Sequence, residues 1–142
     1  MEAINDFPSV SGGMSEGIMP VVYHGIKIPE ALKSEIRRKI VLYFEEQKVY
    51  LDQHLTLAKL SSMVGTNTAY LSSMVNHIYQ CNLPTLINHY RIEHAIKLLR
   101  EGKYNIKDVY KVSGFVSRSA FYSAFTKETG LTPAIFVKQF NR

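Results

Sequence analysis

The sequence predicts an all-α fold of about seven helices, in which one helix-turn-helix unit occurs twice around a long linker helix. Three observations carry this. No stretch alternates with period two over the length of a strand. The segment LTLAKLSSMVG recurs as YNIKDVYKVSG, so that Leu57, Leu60 and Gly65 return as Ile106, Val109 and Gly114 at a spacing of 49. Beyond the turn, Leu71, Met74 and Val75 return as Phe121, Ala124 and Phe125 at a spacing of 50. Between the copies, Ile92, Ala95, Ile96 and Leu99 form an apolar stripe at helical spacing over Leu86 to Glu101, a length of roughly 24 Å at 1.5 Å per residue.

Residues 1–27, rich in Ser, Gly, Pro and Met without helical period, read as a flexible tail or linker. Residues 28–142 form the folded domain. Ile28-Pro29-Glu30 opens its first helix, with Pro at the first helical position and an acid near the positive end of the helix dipole. Leu32, Ile36, Ile40, Tyr43 and Phe44 continue one face to about Lys48. The first helix-turn-helix then covers about 55–80, the linker helix about 86–101 and the second helix-turn-helix about 105–130. Thr56 and Asn105 are caps for the short helices, with Asp108 as a box-like acid, and Ser117 and Gly130 bracket the longer helix of the second copy. Thr132-Pro133 starts a last helix running through Phe136 and Phe140. Phe115, Phe121, Phe125 and Phe136 belong to the core of the second copy.

The 142 residues suffice for one domain with a buried core. A single cysteine, Cys81, excludes an internal disulfide and gives no metal cluster, so a cytoplasmic setting is expected. Glu2 and Asp6 stand where a secretory signal would carry cations, and the apolar run Ile18 to Tyr23 is broken by Pro20, so neither export nor membrane contact is expected of this piece. The charge is uneven. Seven Lys or Arg meet eight acids up to Asn88, whereas ten meet four from His89 onward, and the second half carries the whole net charge of +5.

The longer helix of each copy has an outward stripe of the same character. Ala69, Ser72, Ser73 and Asn76 shift by 50 onto Ser119, Tyr122, Ser123 and Thr126, and neither quartet contains a charge. A helix-turn-helix lays its second helix in the DNA major groove, where acids meet phosphate repulsion and hydroxyls, amides and flanking cations meet base edges and phosphates. Thr68, Ala69, Ser72, Ser73, Asn76 and His77 are therefore the expected contacts of the first copy. Ser117, Arg118, Ser119, Tyr122, Ser123, Thr126 and Lys127 are those of the second. Arg118 is the candidate for a guanine edge, and Thr56, Asn105 and Lys138 for phosphates. Helices on one face of a duplex meet successive major-groove segments at a separation on the order of 34 Å.

The segments NHYRIEHAIKLL (Asn88 to Leu99), VSGFVSRSAFYSAFTKETGLTPAIF (Val112 to Phe136) and LTLAKLSSMVGTNTAYLSSMV (Leu55 to Val75) resemble the C-terminal DNA-binding domain of AraC/XylS-type transcription regulators. The resemblance covers about Asp52 to Lys138. It implies a seven-helix, two-motif domain that binds double-stranded DNA, usually in an activator, with RNA polymerase as partner and an upstream sensor domain where the chain is a fragment. NHIYQCNLPT departs from the family's wording, and Ser73 and Ser123 stand where members often carry Arg. Shallower base discrimination is expected from those two positions.

A helical protein-interaction module without DNA binding is the alternative function. An enzyme is not expected, because no G-x-S-x-G elbow or G-x-x-x-x-G-K-[ST] loop is present. His89 and Glu93 share a helical face beside His94, but there is no H-E-x-x-H and no third ligand, so neither metal nor cofactor is expected.

Overall fold

The computed structural model describes residues 22–23 and 26–140, with side chains from Lys27 to Gln139. In order these are β1 (Val22–Tyr23), β2 (Ile26–Lys27), α1 (Glu30–Val41), α2 (Leu57–Val64), α3 (Thr68–Tyr79), α4 (Leu83–Arg100), α5 (Ile106–Val112), α6 (Arg118–Thr129) and α7 (Pro133–Phe140). A π-helical turn, Leu42–Glu46, extends α1, and a 3-10 turn, Val49–Leu51, follows it. The all-α class and the count of seven α-helices are as expected. The antiparallel ladder pairs Val22 with Lys27 and Tyr23 with Ile26, inside the stretch read as a tail. The rest of that tail lies outside the described residues.

The helices start by one repeated device. Thr56, Asn67, Asn82, Asn105, Ser117 and Thr132 each accept, through the side-chain oxygen, the amide three residues on, at 2.7–3.2 Å. Each bond satisfies a donor the helix itself leaves open, worth about 1 kcal/mol. Two starts differ from expectation. Pro29 is the N-cap of α1 rather than its first helical residue, and no side chain caps that helix. α4 begins at Leu83, three residues early, because Asn82 caps it and Pro84 falls in the first turn, where amides have no intrahelical acceptor to lose.

The described chain divides into two compact units. The first holds α1 to α3 and the start of α4. Its α1 packs on α2 and α3, and β1 packs on α3. Ile36, Ile40 and Phe44 are buried there with Leu60, Leu71 and Met74. The second unit holds Tyr50 to Gln53 and the described residues from Ile87 to Phe140. Its core joins the α4 stripe Ile92, Ala95, Ile96 and Leu99 to Val109 and four phenylalanines. Phe115, Phe121, Phe125 and Phe136 meet edge to face in sequence, at centroid separations of 5.4, 5.6 and 5.3 Å. Each such pair contributes about 1 kcal/mol beyond burial, and the first motif has Leu71 and Val75 where the second has Phe121 and Phe125.

Candidate nucleic-acid interface

The turn of the first motif is closed from α1. Gly65 ends α2 at φ +85, and its amide and that of Thr66 both donate to the Ser61 carbonyl. Two further carbonyls of the last turn of α2 are met by side chains: Lys39 Nζ donates to Val64 O and Tyr43 OH to Met63 O, each at 3.0 Å. The turn of the second motif is closed from the 3-10 segment and α4. Arg91 Nε donates to Tyr50 O at 2.6 Å and Nη2 to Asp52 O at 2.9 Å, while its guanidinium lies 5.7 Å from the Phe115 ring centroid. Gln53 Nε2 donates to Phe115 O at 3.0 Å. Burial pushes the Arg91 guanidinium pKa down, against the pull of Asp52. Arg91 is thereby a structural strut under the second turn.

Such caps and turns present two helices of twelve residues each. α3 contains no Asp, Glu, Lys or Arg, and His77 stands in its last turn. α6 carries Arg118 and Lys127, and its acid, Glu128, turns away to His89: Nδ1 of the buried imidazole lies 2.6 Å from Glu128 Oε2. The other ring nitrogen is 3.7 Å from Glu93. The carboxylate is thus held between α6 and α4, and the open side of α6 keeps hydroxyls, a phenol and two cations. Such a surface matches the phosphate-lined major groove in sign and in hydrogen-bonding capacity.

A sequence-family profile described as "Helix-turn-helix domain" matches residues 60–139, more than half of the chain. The chain belongs to the AraC/XylS-type helix-turn-helix family. The Melibiose operon regulatory protein of Escherichia coli is 28% identical over 110 residues, covering 75% of this chain and 36% of that protein. An uncharacterized HTH-type transcriptional regulator of the same species is 26% identical over 102 residues. The chain thus spans about a third of the length of the curated relatives it matches. Among solved structures, the C-terminal domain of AraT, a response regulator from Geobacillus stearothermophilus, superposes with a TM-score of 0.64 at 23% identity, over 76% of this chain and 84% of that one. Residues 60–139 of this AraC/XylS-type chain thus form a helix-turn-helix domain of a transcription-regulator family. Among the described residues, no helix is long and apolar enough to cross a membrane.

Within the AraC/XylS-type domain the expected contacts divide sharply. Arg118, Ser119, Tyr122, Ser123, Thr126 and Lys127 are all exposed, and Ser117 is the half-buried N-cap whose hydroxyl is occupied by the Ala120 amide. Thr68 is exposed at the start of α3, but Ala69, Ser72, Asn76 and His77 are half-buried. Asn76 Nδ2 donates to Ser72 O of its own helix at 3.0 Å. Ser73 is a correction: expected on the outward stripe, it is 2% exposed, and its hydroxyl has no partner among the described residues. His77 lies one turn further along the same side, and its pKa is lowered by burial first and then by the charges of Lys33 and Arg37 on α1. That side of α3 therefore looks toward α1. Polarity alone placed Ser73 outward, whereas a helix covered on two sides has room for a small hydroxyl between them.

Thr56 and Asn105 are exposed, but their oxygens hold the caps, so phosphate would be met there by backbone amides. Lys138 is exposed on α7. Asn67, the N-cap of α3, stands where a shift of 50 carries Ser117, a match legible in the sequence but outside the expected contacts.

Proposed function

We propose that this domain binds double-stranded DNA sequence-specifically and regulates transcription, activation being the sign favoured by the family resemblance, with RNA polymerase as its protein partner. On DNA, α3 and α6 enter successive major-groove segments, the two copies of one motif reading two short boxes. The observation that carries this reading is the α6 face, where Arg118, Ser119, Tyr122, Ser123, Thr126 and Lys127 are exposed together while Glu128 is turned to His89. Arg118, in the first turn, is the base-reading side chain, and Lys127 and Lys138 hold phosphates.

Selection of bound sequences from a random DNA pool tests it, with two boxes about ten base pairs apart as the expected yield. Binding should weaken steeply with salt, in proportion to the phosphates contacted. A pool that yields no preferred sequence, or binding indifferent to salt, returns the domain to the role of a helical protein-interaction module.

A further inference from the structure

Val116 is 62% exposed, the largest value among the exposed large hydrophobic side chains of the described residues. It sits directly before Ser117, the N-cap of α6, in the position from which a hydrophobic residue ordinarily staples onto the fourth helical residue. That residue is Phe121, and its ring is fully buried against Phe115, Tyr122 and Phe125. Phe115, the residue before Val116, fills the place a staple would take, and Val116 is left facing outward. The first motif has Thr66 before its N-cap, half-buried, and has one residue fewer between the turn glycine and the cap. The exposed valine is therefore peculiar to the second motif and is not explained by folding.

A helix-turn-helix presents the N-terminal end of its second helix to base edges. In the major groove the apolar feature of a base pair is the 5-methyl group of thymine. Valine carries two methyls on a stiff χ1, so it offers an apolar contact with little rotamer entropy to lose. We propose that Val116 reads the methyl of a thymine in the box bound by α6. The inference rests on the DNA-binding reading and names one base feature within it. The recognised chemistry is a 5-methylpyrimidine, which methylated cytosine shares.

The test uses the full chain and the selected site, with each thymidine of the α6 box replaced in turn by deoxyuridine. At one position the loss of the methyl should weaken binding about fourfold, the value of one buried methyl-sized group. Val116→Ala should bind the unmodified site about fourfold more weakly and no longer distinguish thymine from uracil there, with thermal stability unchanged because the side chain is exposed. If a C·G pair replaces that T·A pair, methylating the cytosine should recover a similar factor for the wild-type chain only. Intact DNA binding with every uracil substitution neutral overturns the proposal, as does a thymine preference that survives unchanged in Val116→Ala or a selected α6 box without a fixed thymine. Failure to bind any DNA overturns the underlying reading and the proposal with it.

Discussion

Positions 50 apart on α3 and α6 carry comparable side chains in different surroundings. Ser123, Thr126 and Lys127 are exposed, whereas their counterparts Ser73, Asn76 and His77 are buried or half-buried. In both motifs a side-chain oxygen caps the longer helix and that helix is twelve residues long, so the difference does not arise within α3 and α6 themselves. It arises from what packs on them: α3 meets α1, α2 and β1, while α6 packs chiefly against α5 and α7. A duplicated motif preserves its backbone and apolar face, and each copy then acquires its reading surface from its neighbours. The second motif offers the open surface, and the first offers one partly taken up by packing.

The turns give the largest expected contrast. A Cβ on Gly114, at φ +93, would lie 2.5 Å from Tyr50 O and 2.8 Å from Arg91 Nε, whereas one on Gly65, at φ +85, meets nothing nearer than Lys39 Nζ at 3.7 Å. Gly114→Ala should therefore cost about 3 kcal/mol or more in denaturant unfolding, from backbone strain and displacement of the strut together. Gly65→Ala should cost about 1–2 kcal/mol, from the left-handed backbone alone. Equal losses would remove the contrast between a packed turn and an open one.

DNA affinity should separate the motifs next. Arg118→Ala is expected to lose about 1–3 kcal/mol on the selected site and much less on scrambled DNA, while Lys127→Ala loses similar amounts on both. His77→Ala, at the position matching Lys127, should change affinity less than either, because that imidazole is half-covered. A titration in which His77→Ala does more harm than Arg118→Ala would reverse the ranking of the two faces.

The helix ends give a smaller effect. Gln80 and Gly130 both stop their helices in the left-handed region, at φ +60 and +79, but only glycine does so without a Cβ penalty. Gln80→Gly should stabilise the first unit by about 1 kcal/mol, less whatever the bond from its Nε2 to His77 O contributes. Gly130→Ala should destabilise the second by a similar amount, both read from thermal melts.

The smallest effect concerns pH. Burial, with Lys33 and Arg37 nearby, holds the His77 imidazole below its ordinary value of 6.5. Below that value the unfolded chain binds the proton more readily than the folded one, so stability falls as pH drops through about 6.5 toward the folded value. Melts from pH 8 to 5 should show this loss in the wild-type chain and less of it in His77→Gln. A His77→Gln chain with the wild-type pH slope would mean that neither burial nor the α1 charges shift that imidazole.

Some of this was written along the chain itself. Thr56, Asn105 and Ser117 announced helix starts, and Gly65, Gly114 and Gly130 announced turns, because caps and positive φ are decided by a few adjacent residues. The exposed polar side of α6 was equally legible, since Glu128 is the lone acid of that helix and Ser119, Tyr122, Ser123 and Thr126 are all exposed. Asn82 was less legible, since the apolar stripe of α4 becomes regular only some turns after that cap. Arg91 gave no sign of its acceptors, which belong to Tyr50 and Asp52, some forty residues earlier.

The sequence by itself determined the repeat, the caps of α2, α5 and α6 and the apolar stripes, all products of short-range periodicity and capping. Only the tertiary structure decided that Ser73 is enclosed, that Val116 is free of the core, and that Glu128 faces His89 rather than solvent. Exposure is a property of a side chain together with neighbours distant in the chain, and spacing along one helix carries no record of them.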